Sequence, residues 1–263
     1  MHAFLSSSLP IFTHFNLLLQ RDEPTIHLLK SSMKSLGKKL AKRIMLPEKI
    51  KDLENISSID LNDSENFKPT SEIYLGVITK QMLRNFLNEG DITEKEFNDF
   101  HDAAHYFFKS GLEYVIQKFP FDDPLICNAN WVNVLDRLNC KWENVQYFYD
   151  LFPNLMANVS ADDLYEEFLD YQTLSDSDFV DKAWEDAKVL EGLKDENDNP
   201  LFHYRVDVLW HYIAKMCVAG SSSRRFKLLP KVAEIVLIIP HSNAGLERQP
   251  GTQQHFELQD LTI

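Results

Sequence analysis

The sequence predicts an all-α fold, arranged as a helical bundle. Long stretches of its 263 residues repeat apolar side chains at helical spacing, and only 8 Gly and 11 Pro interrupt them. Apolar residues make up 44% of the chain and aromatic residues 12%, which is enough for a packed core. Few segments alternate polar and apolar residues as half-buried strands do, so we expect little β-sheet.

Residues 1–51 are predicted to form amphipathic basic helices. Pro10 opens a short helix that extends to Gln20, and Pro24 opens a second helix that ends before Pro47. The apolar side chains of the second helix share one face, and its lysines lie on the other. That apolar face comprises Ile26, Leu29, Met33, Leu36, Leu40 and Ile44.

The charge of the chain is divided unevenly. Residues 1–51 contain nine Lys or Arg and three acidic residues, a balance of +6, whereas the remainder contains 18 and 37, a balance of −19. The acidic body argues against non-specific affinity for nucleic acid, but the basic helix at 30–51 could contact phosphate. The alternative is an ordinary solvated face. The candidate phosphate contacts are Lys34, Lys38, Lys39 and Lys42.

Residues 52–72 are predicted as a polar surface connection, and residues 73–200 as a helical domain. Within this domain a helix begins near Gly76 and closes at Gly90, because a left-handed glycine suits a helix end. Its apolar residues are Val77, Met82, Phe86 and Leu87. The Thr93–Glu96 capping box opens the longest predicted helix, about 40 Å long. The apolar face of that helix comprises Phe97, Phe100, Ala104, Phe107, Phe108, Leu112, Val115 and Phe119.

Three shorter helices are predicted in the rest of this domain, at 124–138, 142–152 and 161–171, the last of them capped by Ser160. An acidic, turn-rich stretch at 193–200 predicts a loop.

Residues 201–248 are predicted to contain two helices, joined by a flexible Ser-rich segment at 219–223, and the first turns of a third. The third helix would be capped by His241, Ser242 or Asn243 and would have Glu247 and Arg248 in its first turns. The first helix spans 204–216, and the second stops at Pro240. The tail at 249–263 has no sustained period, so it is expected to be loosely ordered.

Three groups of side chains are candidates for chemistry. Glu247 offers a carboxylate beside the last predicted helix, but a magnesium site needs two or three converging carboxylates, so a surface or capping role is the alternative. His101 and His105 lie four residues apart without a His-Glu-x-x-His pattern, which favours structural histidines over metal ligands. The Ser221–Arg225 cluster predicts a phosphorylation site, a phosphate contact or a solvated hinge.

The cysteines and the missing motifs exclude several classes of protein. Cys127, Cys140 and Cys217 are odd in number and widely spaced, which excludes a zinc finger in this sequence and favours an intracellular, nuclear or cytoplasmic compartment. We expect no signal peptide and no membrane span, because a basic leader and an 18-residue apolar run are both missing. Phosphate-binding glycine loops and hydrolase motifs are missing too, so no cofactor and no small-molecule substrate is expected.

The stretch from Arg225 to Arg248 resembles the carboxy-terminal dimerisation region of hAT-superfamily transposases. The resemblance rests on Pro240-His-Ser-Asn-Ala-Gly-Leu-Glu-Arg248, which follows the family pattern Pro-x-Ser-x-Ala-x-x-Glu-Arg. Residues 9–16, 22–29 and 204–210 are similar to upstream parts of the same family.

The resemblance implies a helical insertion domain at 73–200 and a truncated dimerisation region at 201–248, with the family's ribonuclease-H-like sheet largely absent. In the family, two aspartates and one glutamate bind divalent metal. Glu247 matches that glutamate, and the aspartates and the zinc-finger modules are expected before Met1. Gln249-Pro250 replaces the Phe-Ser that follows in the family. An incomplete carboxylate set implies a catalytically inactive protein that binds no metal.

The function expected from the resemblance is dimerisation, with another copy or a related hAT-derived protein as the partner. One alternative is a DNA-binding or transposition module that uses the basic helix at 30–51. The other is a non-functional pseudogene product without a stable fold. The expected dimer contacts are Trp210, Phe226, Leu229, Val232, Val236 and Leu237.

Overall fold

The computed structural model describes residues 1–51, 55–194 and 199–240, and in these ranges the chain is mainly helical, as predicted. The amino-terminal half contains α1 (His2–Ser8), α2 (Pro10–Leu19), α3 (Ile26–Ile44), α4 (Pro47–Lys51), α5 (Val77–Glu89) and α6 (Glu94–Lys118). The carboxy-terminal half contains α7 (Pro124–Asn128), α8 (Trp142–Leu151), α9 (Pro153–Met156), α10 (Ala161–Gln172), α11 (Asp181–Ala187), α12 (Val206–Ile213) and α13 (Leu229–Leu237). An antiparallel hairpin joins β1 (Lys188–Lys194) to β2 (Pro200–Tyr204). Short 3-10 turns lie at 56–58, 64–66, 70–72, 129–132, 134–139 and 176–178.

The first hydrophobic core lies between α3 and α6. The predicted apolar faces of these two helices meet there, and Leu40, Phe108 and Leu112 have no exposed surface. Phe4 of α1 covers the core, with its ring centroid 5.7 Å from that of Phe108. Since α3 buries one face in this core, its lysine-bearing face is left toward the outside.

Residues 55–76 contribute Ile56, Ile73 and Leu75 to the first core, and the residues between Ile56 and Ile73 are exposed or half-buried. The segment predicted as a surface connection at 52–72 is therefore anchored to the core by Ile56. Ile56 is buried so close to α3 that a side-chain carbon added to Gly37 would lie 2.7 Å from its Cγ2 atom. The sequence did not predict this packing, because isolated apolar residues among turn formers have no periodicity. Residues 52–54 lie outside the described part of the chain.

Helix starts differ from the predictions in three places. α1 was not predicted, because three of its seven residues are serines. α3 begins at Ile26, with Thr25 as its N-cap, rather than at Pro24. α13 begins later than predicted, at Leu229, because Pro230 is tolerated in the first turn of a helix but not in its interior.

α5 has the predicted ends but not the predicted burial. Gly76 (φ 93°) precedes the helix, and Gly90 (φ 80°) closes it in the left-handed conformation. Val77 and Met82 of the predicted apolar face are 74% and 42% exposed, and Thr79 is the one buried residue of this helix. The apolar pattern therefore predicted the helix correctly, but much of its apolar stripe is left exposed.

The second hydrophobic core lies among α8, α10, α12 and α13. Aromatic rings fill its centre, where the ring centroid of Trp210 is 5.4 Å from that of Trp131 and 5.0 Å from that of Tyr171. The hydroxyl of Tyr171 donates to the carbonyl of Trp131 at 3.1 Å, and Nε1 of Trp210 donates to the carbonyl of Val132 at 2.8 Å. These carbonyls belong to the 3-10 turns that follow α7, where the sequence predicted a continuous helix at 124–138.

The β1–β2 hairpin was not predicted. Lys188 of β1 pairs with Tyr204 of β2 in antiparallel register. The loop predicted at 193–200 overlaps the ends of both strands, and residues 195–198 lie outside the described part of the chain. An alternating pattern over so few residues cannot be distinguished from a loop by periodicity alone.

Glu167 of α10 fixes the start of α13. Its Oε1 atom accepts a hydrogen bond from the N–H of Lys227, and its Oε2 atom accepts from the N–H groups of Leu228 and Leu229, each at 2.8 Å. A carboxylate suits this position, because the first N–H groups of a helix lack partners and the helix dipole is positive there. The segment that contains most of the predicted dimer contacts is therefore held by the chain's own α10.

Candidate functional site

The lysines predicted to contact phosphate lie on one side of α3. Lys34, Lys38 and Lys42 follow one another every four residues, which places them along one stripe of the helix, and Lys39 lies beside them. Lys39 and Lys42 are exposed, whereas Lys34 and Lys38 are half-buried. The opposite face of α3 is buried in the first core, so all four charges are directed outward.

Two further cations join these lysines. Arg43 follows Lys42 on α3, and Lys68 belongs to the segment that packs against α3. The N–H of Lys68 donates to the carbonyl of Ile44 at 2.8 Å, and its Nζ donates to the carbonyl of Lys42 at 2.9 Å. Sequence reasoning missed Lys68, although it is the one basic residue in the predicted connection at 52–72. We define the basic surface as Lys34, Lys38, Lys39, Lys42, Arg43 and Lys68.

Two clefts open on the basic surface, and Lys42 and Lys68 line both of them. The first cleft has a volume of about 550 Å³ and the second about 390 Å³. Among the described residues, no acidic side chain lines either cleft. The first cleft is lined by Ser7, Pro10, Ile11, Lys39, Lys42, Arg43, Lys68 and Tyr74. The second is lined by Lys38, Lys42, Met45, Pro47, Ile50, Lys51 and Lys68.

The charges of the basic surface have no carboxylate partner within the described ranges. Some arginines elsewhere are paired: Arg137 lies 2.7 Å from Asp176 and Arg21 lies 2.6 Å from Glu191. Among the described residues, no ion pair within 4.0 Å involves a side chain of the basic surface. Neighbouring cations without counter-charges repel one another, and a bound anion relieves that repulsion. The basic surface is therefore suited to an anion, on a chain whose net charge is −13.

Tyr74 lies at the edge of the basic surface. Its N–H donates to the carbonyl of Arg43 at 3.1 Å, and the guanidinium carbon of Arg43 lies 4.0 Å from the centroid of its ring. Ser7 approaches Gly76, two residues after the tyrosine, so closely that a side-chain carbon there would lie 2.6 Å from the Ser7 hydroxyl. Partial burial lowers the pKa of Arg43, and the phenol of Tyr74 opposes the shift. Arginine still stays charged at neutral pH.

Most of the predicted dimer contacts are inside the chain's own second core. The buried members are Trp210, Phe226, Leu229, Val232 and Val236. Leu237 is half-buried, and it lines a groove of about 680 Å³ between α12 and α13. Ile238, at the end of this groove, is 72% exposed. Trp210 and Phe226 also line this groove, whereas Leu229, Val232 and Val236 do not. A partner that does not open the core could therefore contact Leu237 and Ile238 and the groove-facing edges of Trp210 and Phe226, but not the other three buried side chains.

The two candidate metal-ligating histidines each contact a phenylalanine. Nδ1 of His101 lies 2.9 Å from the carbonyl of Phe97, and the His101 ring is buried. The ring of His105 packs edge-on against Phe67 at 5.3 Å. Burial lowers the pKa of His105, as does the nearby charge of Lys109. Within residues 1–51, 55–194 and 199–240, no three His, Cys, Asp or Glu side chains are close enough to hold a metal ion together.

The remaining candidates fall in different places. Ser221, Ser222 and Ser223 are exposed in a turn, and Arg224 donates to the carbonyl of Ala214 at 3.0 Å. Glu247 and the tail at 249–263 lie outside the described part of the chain.

The three cysteines are free thiols in different surroundings. Cys140 is buried, and burial raises the pKa of its thiol to about 12, with a smaller contribution from Asp136. Cys127 is half-buried and Cys217 is exposed.

Comparison of the chain with protein-family models, curated proteins and solved structures gave no match. The similarity to hAT transposases therefore rests on the sequence motif alone and stays a prediction. None of the helices in the described ranges combines the length and the apolar character needed to cross a membrane.

Proposed function

We propose that this chain is a catalytically inactive, hAT-derived protein that binds nucleic acid through the phosphate backbone. The observation that carries the proposal is the basic surface, in which four outward lysines of α3 lie beside Arg43 and Lys68, without an acidic partner within the described ranges. Lysine and arginine side chains that neutralise phosphates supply most of the sequence-independent affinity for nucleic acid. Catalytic inactivity is inferred from the family resemblance, in which Glu247 is the single matching carboxylate.

Charge reversal tests this proposal against a matched control. In one variant Lys34, Lys38, Lys39 and Lys42 are changed to Glu, and the affinity for a short labelled DNA is measured by fluorescence anisotropy at low salt. The affinity is expected to fall on the order of a hundredfold, because phosphate contacts dominate such binding. The control variant changes to Glu the exposed lysines Lys95, Lys141, Lys182 and Lys215.

Both variants change the net charge by the same amount, so the comparison separates the basic surface from the total charge. The control is expected to bind nearly as tightly as the unchanged protein. Equal weakening of both variants would mean that only net charge matters. Unchanged binding by the first variant would remove the basic surface from the interaction.

A second candidate function is self-association through the groove between α12 and α13. It is favoured by the exposure of Ile238 at the end of a groove that Trp210 and Leu237 help to line. In this candidate the groove edge contacts a second copy of the chain. Ile238→Glu is then expected to shift sedimentation from dimer to monomer, while Lys231→Glu at the same groove leaves it unchanged. Monomeric sedimentation of the unchanged protein at high concentration would exclude this candidate.

A further inference from the structure

The first cleft combines cations with an aromatic ring. Lys39, Lys42 and Lys68 supply the positive charge, and Tyr74, which is 44% exposed, supplies the ring. Its volume of about 550 Å³ lies within the range of sites that enclose small molecules, roughly 300–1,000 Å³. A cleft of this composition fits a nucleotide, which joins an anionic phosphate to a planar base.

The ring of Tyr74 is held in place before any ligand arrives. Arg43 packs over the ring at 4.0 Å, and the backbone hydrogen bond between the two residues ties the ring to α3. Pro10 and Ile11 of α2 add apolar surface to the same cleft. Bases stack on such aromatic side chains, and the stacking tolerates any sequence because every base has a flat face.

We propose that the first cleft holds an unpaired nucleotide, with its base stacked on Tyr74 and its phosphate between Lys42 and Lys68. This inference rests on the proposed function, and it adds that the preferred ligand is single-stranded nucleic acid. The bases of a duplex are stacked inside the helix and cannot reach a ring within a cleft. A duplex can therefore use the cations of the basic surface but not Tyr74.

The test compares three labelled DNAs of equal length at one salt concentration. The first is single-stranded oligothymidine, the second has the same sugar-phosphate backbone without bases, and the third is a duplex. The intact protein is expected to bind the first strand more tightly than the abasic strand, on the order of tenfold for one stacked base. An oligouridine strand joins the series to identify RNA or DNA as the preferred ligand, because stacking serves both.

Two substitutions of Tyr74 test whether its ring causes the higher affinity for oligothymidine. Tyr74→Leu is expected to lower the affinity for oligothymidine to that of the abasic strand and to leave the abasic strand unchanged. Tyr74→Phe keeps the ring and is expected to bind both strands like the unchanged protein. Circular dichroism shows whether Tyr74→Leu folds. If it does not, the difference in affinity between oligothymidine and the abasic strand on the unchanged protein tests the stacked base.

The outcomes separate the inference from the proposed function. Equal affinity for all three DNAs overturns the stacked base but leaves phosphate binding intact. Equal weakening of oligothymidine and the abasic strand by Tyr74→Leu also overturns it, because the ring then acts only by holding Arg43. If none of the DNAs binds at low salt, the proposed function fails together with the inference.

Discussion

Glu167→Gln removes the charge from the carboxylate that holds the start of α13. In the unchanged protein this carboxylate accepts three backbone hydrogen bonds of 2.8 Å. A glutamine oxygen in the place of Oε2 keeps the bonds from Leu228 and Leu229, but its amide group then faces the N–H of Lys227. One hydrogen bond is lost, and two change from charged to neutral acceptors.

The expected loss of unfolding free energy follows from these contacts. A hydrogen bond to a charged group contributes about 1.5–3 kcal/mol, and a charge at a helix end about 0.3–1 kcal/mol. Water reaches the exposed N–H of Lys227, so the value is taken at the lower end. We expect Glu167→Gln to cost about 2 kcal/mol and Glu167→Ala about 3 kcal/mol.

Urea unfolding followed by circular dichroism measures this loss. Glu166→Gln is the matched control, because Glu166 is the exposed preceding residue and the substitution changes the charge equally. The control is expected to stay within about 0.5 kcal/mol of the unchanged protein. If Glu167→Gln unfolds like Glu166→Gln, the carboxylate does not hold α13. A single cooperative unfolding transition of the unchanged protein would contradict the pseudogene alternative, which expects no stable fold.

Three further predictions concern the stability of the chain. Arg137→Met is expected to lower the free energy of unfolding by about 3 kcal/mol, because it leaves the carbonyls of Val134 and Leu174 without their buried donor. Arg84→Met on exposed α5 is the control, and in the same urea assay it is expected to cost under about 0.5 kcal/mol. The raised pKa of Cys140, about 12 against an ordinary 9.0, means that the unfolded thiol loses its proton first, so unfolding free energy falls above pH 9. The fall is at most about 1.4 kcal/mol per pH unit. Urea titrations at pH 8, 9 and 10 measure it, and Cys140→Ala is expected to remove it. If the unfolding free energy of Cys140→Ala fell with pH as steeply as that of the unchanged protein, the fall would not come from Cys140. Changing Ile78 and Met82 to Lys is expected to alter unfolding free energy by less than about 0.5 kcal/mol and to raise solubility, and a large loss would show that this stripe of α5 is covered.

Long, continuous patterns predicted the fold well. The Thr93–Glu96 capping box forms as expected, with the N–H of Thr93 donating to Oε2 of Glu96 at 2.8 Å. The apolar faces of α3 and α6 are long enough to show a period, and they meet in the first core. The β1–β2 hairpin and the packing of Ile56 were not predicted, because short or isolated apolar residues have no measurable period.

The candidate site was predicted only in part. Four lysines of α3 could be assigned from their spacing, but Lys68 reaches them through a backbone hydrogen bond to Ile44, which sequence spacing does not reveal. The apolar face of α13 was predicted correctly as a face. A sequence does not show whether such a face is covered by its own chain or by a partner, and here Val232 and Val236 pack inside the chain.

The salt dependence of DNA binding tests the central claim most directly. If all six cations of the basic surface contact phosphates of a single strand, the logarithm of the association constant falls against the logarithm of salt concentration with a slope of roughly −4. With Lys34, Lys38, Lys39 and Lys42 changed to Glu, two cations are left and the slope is expected to be roughly −1. A slope near zero for the unchanged protein, or the same slope for both proteins, would contradict binding through the basic surface.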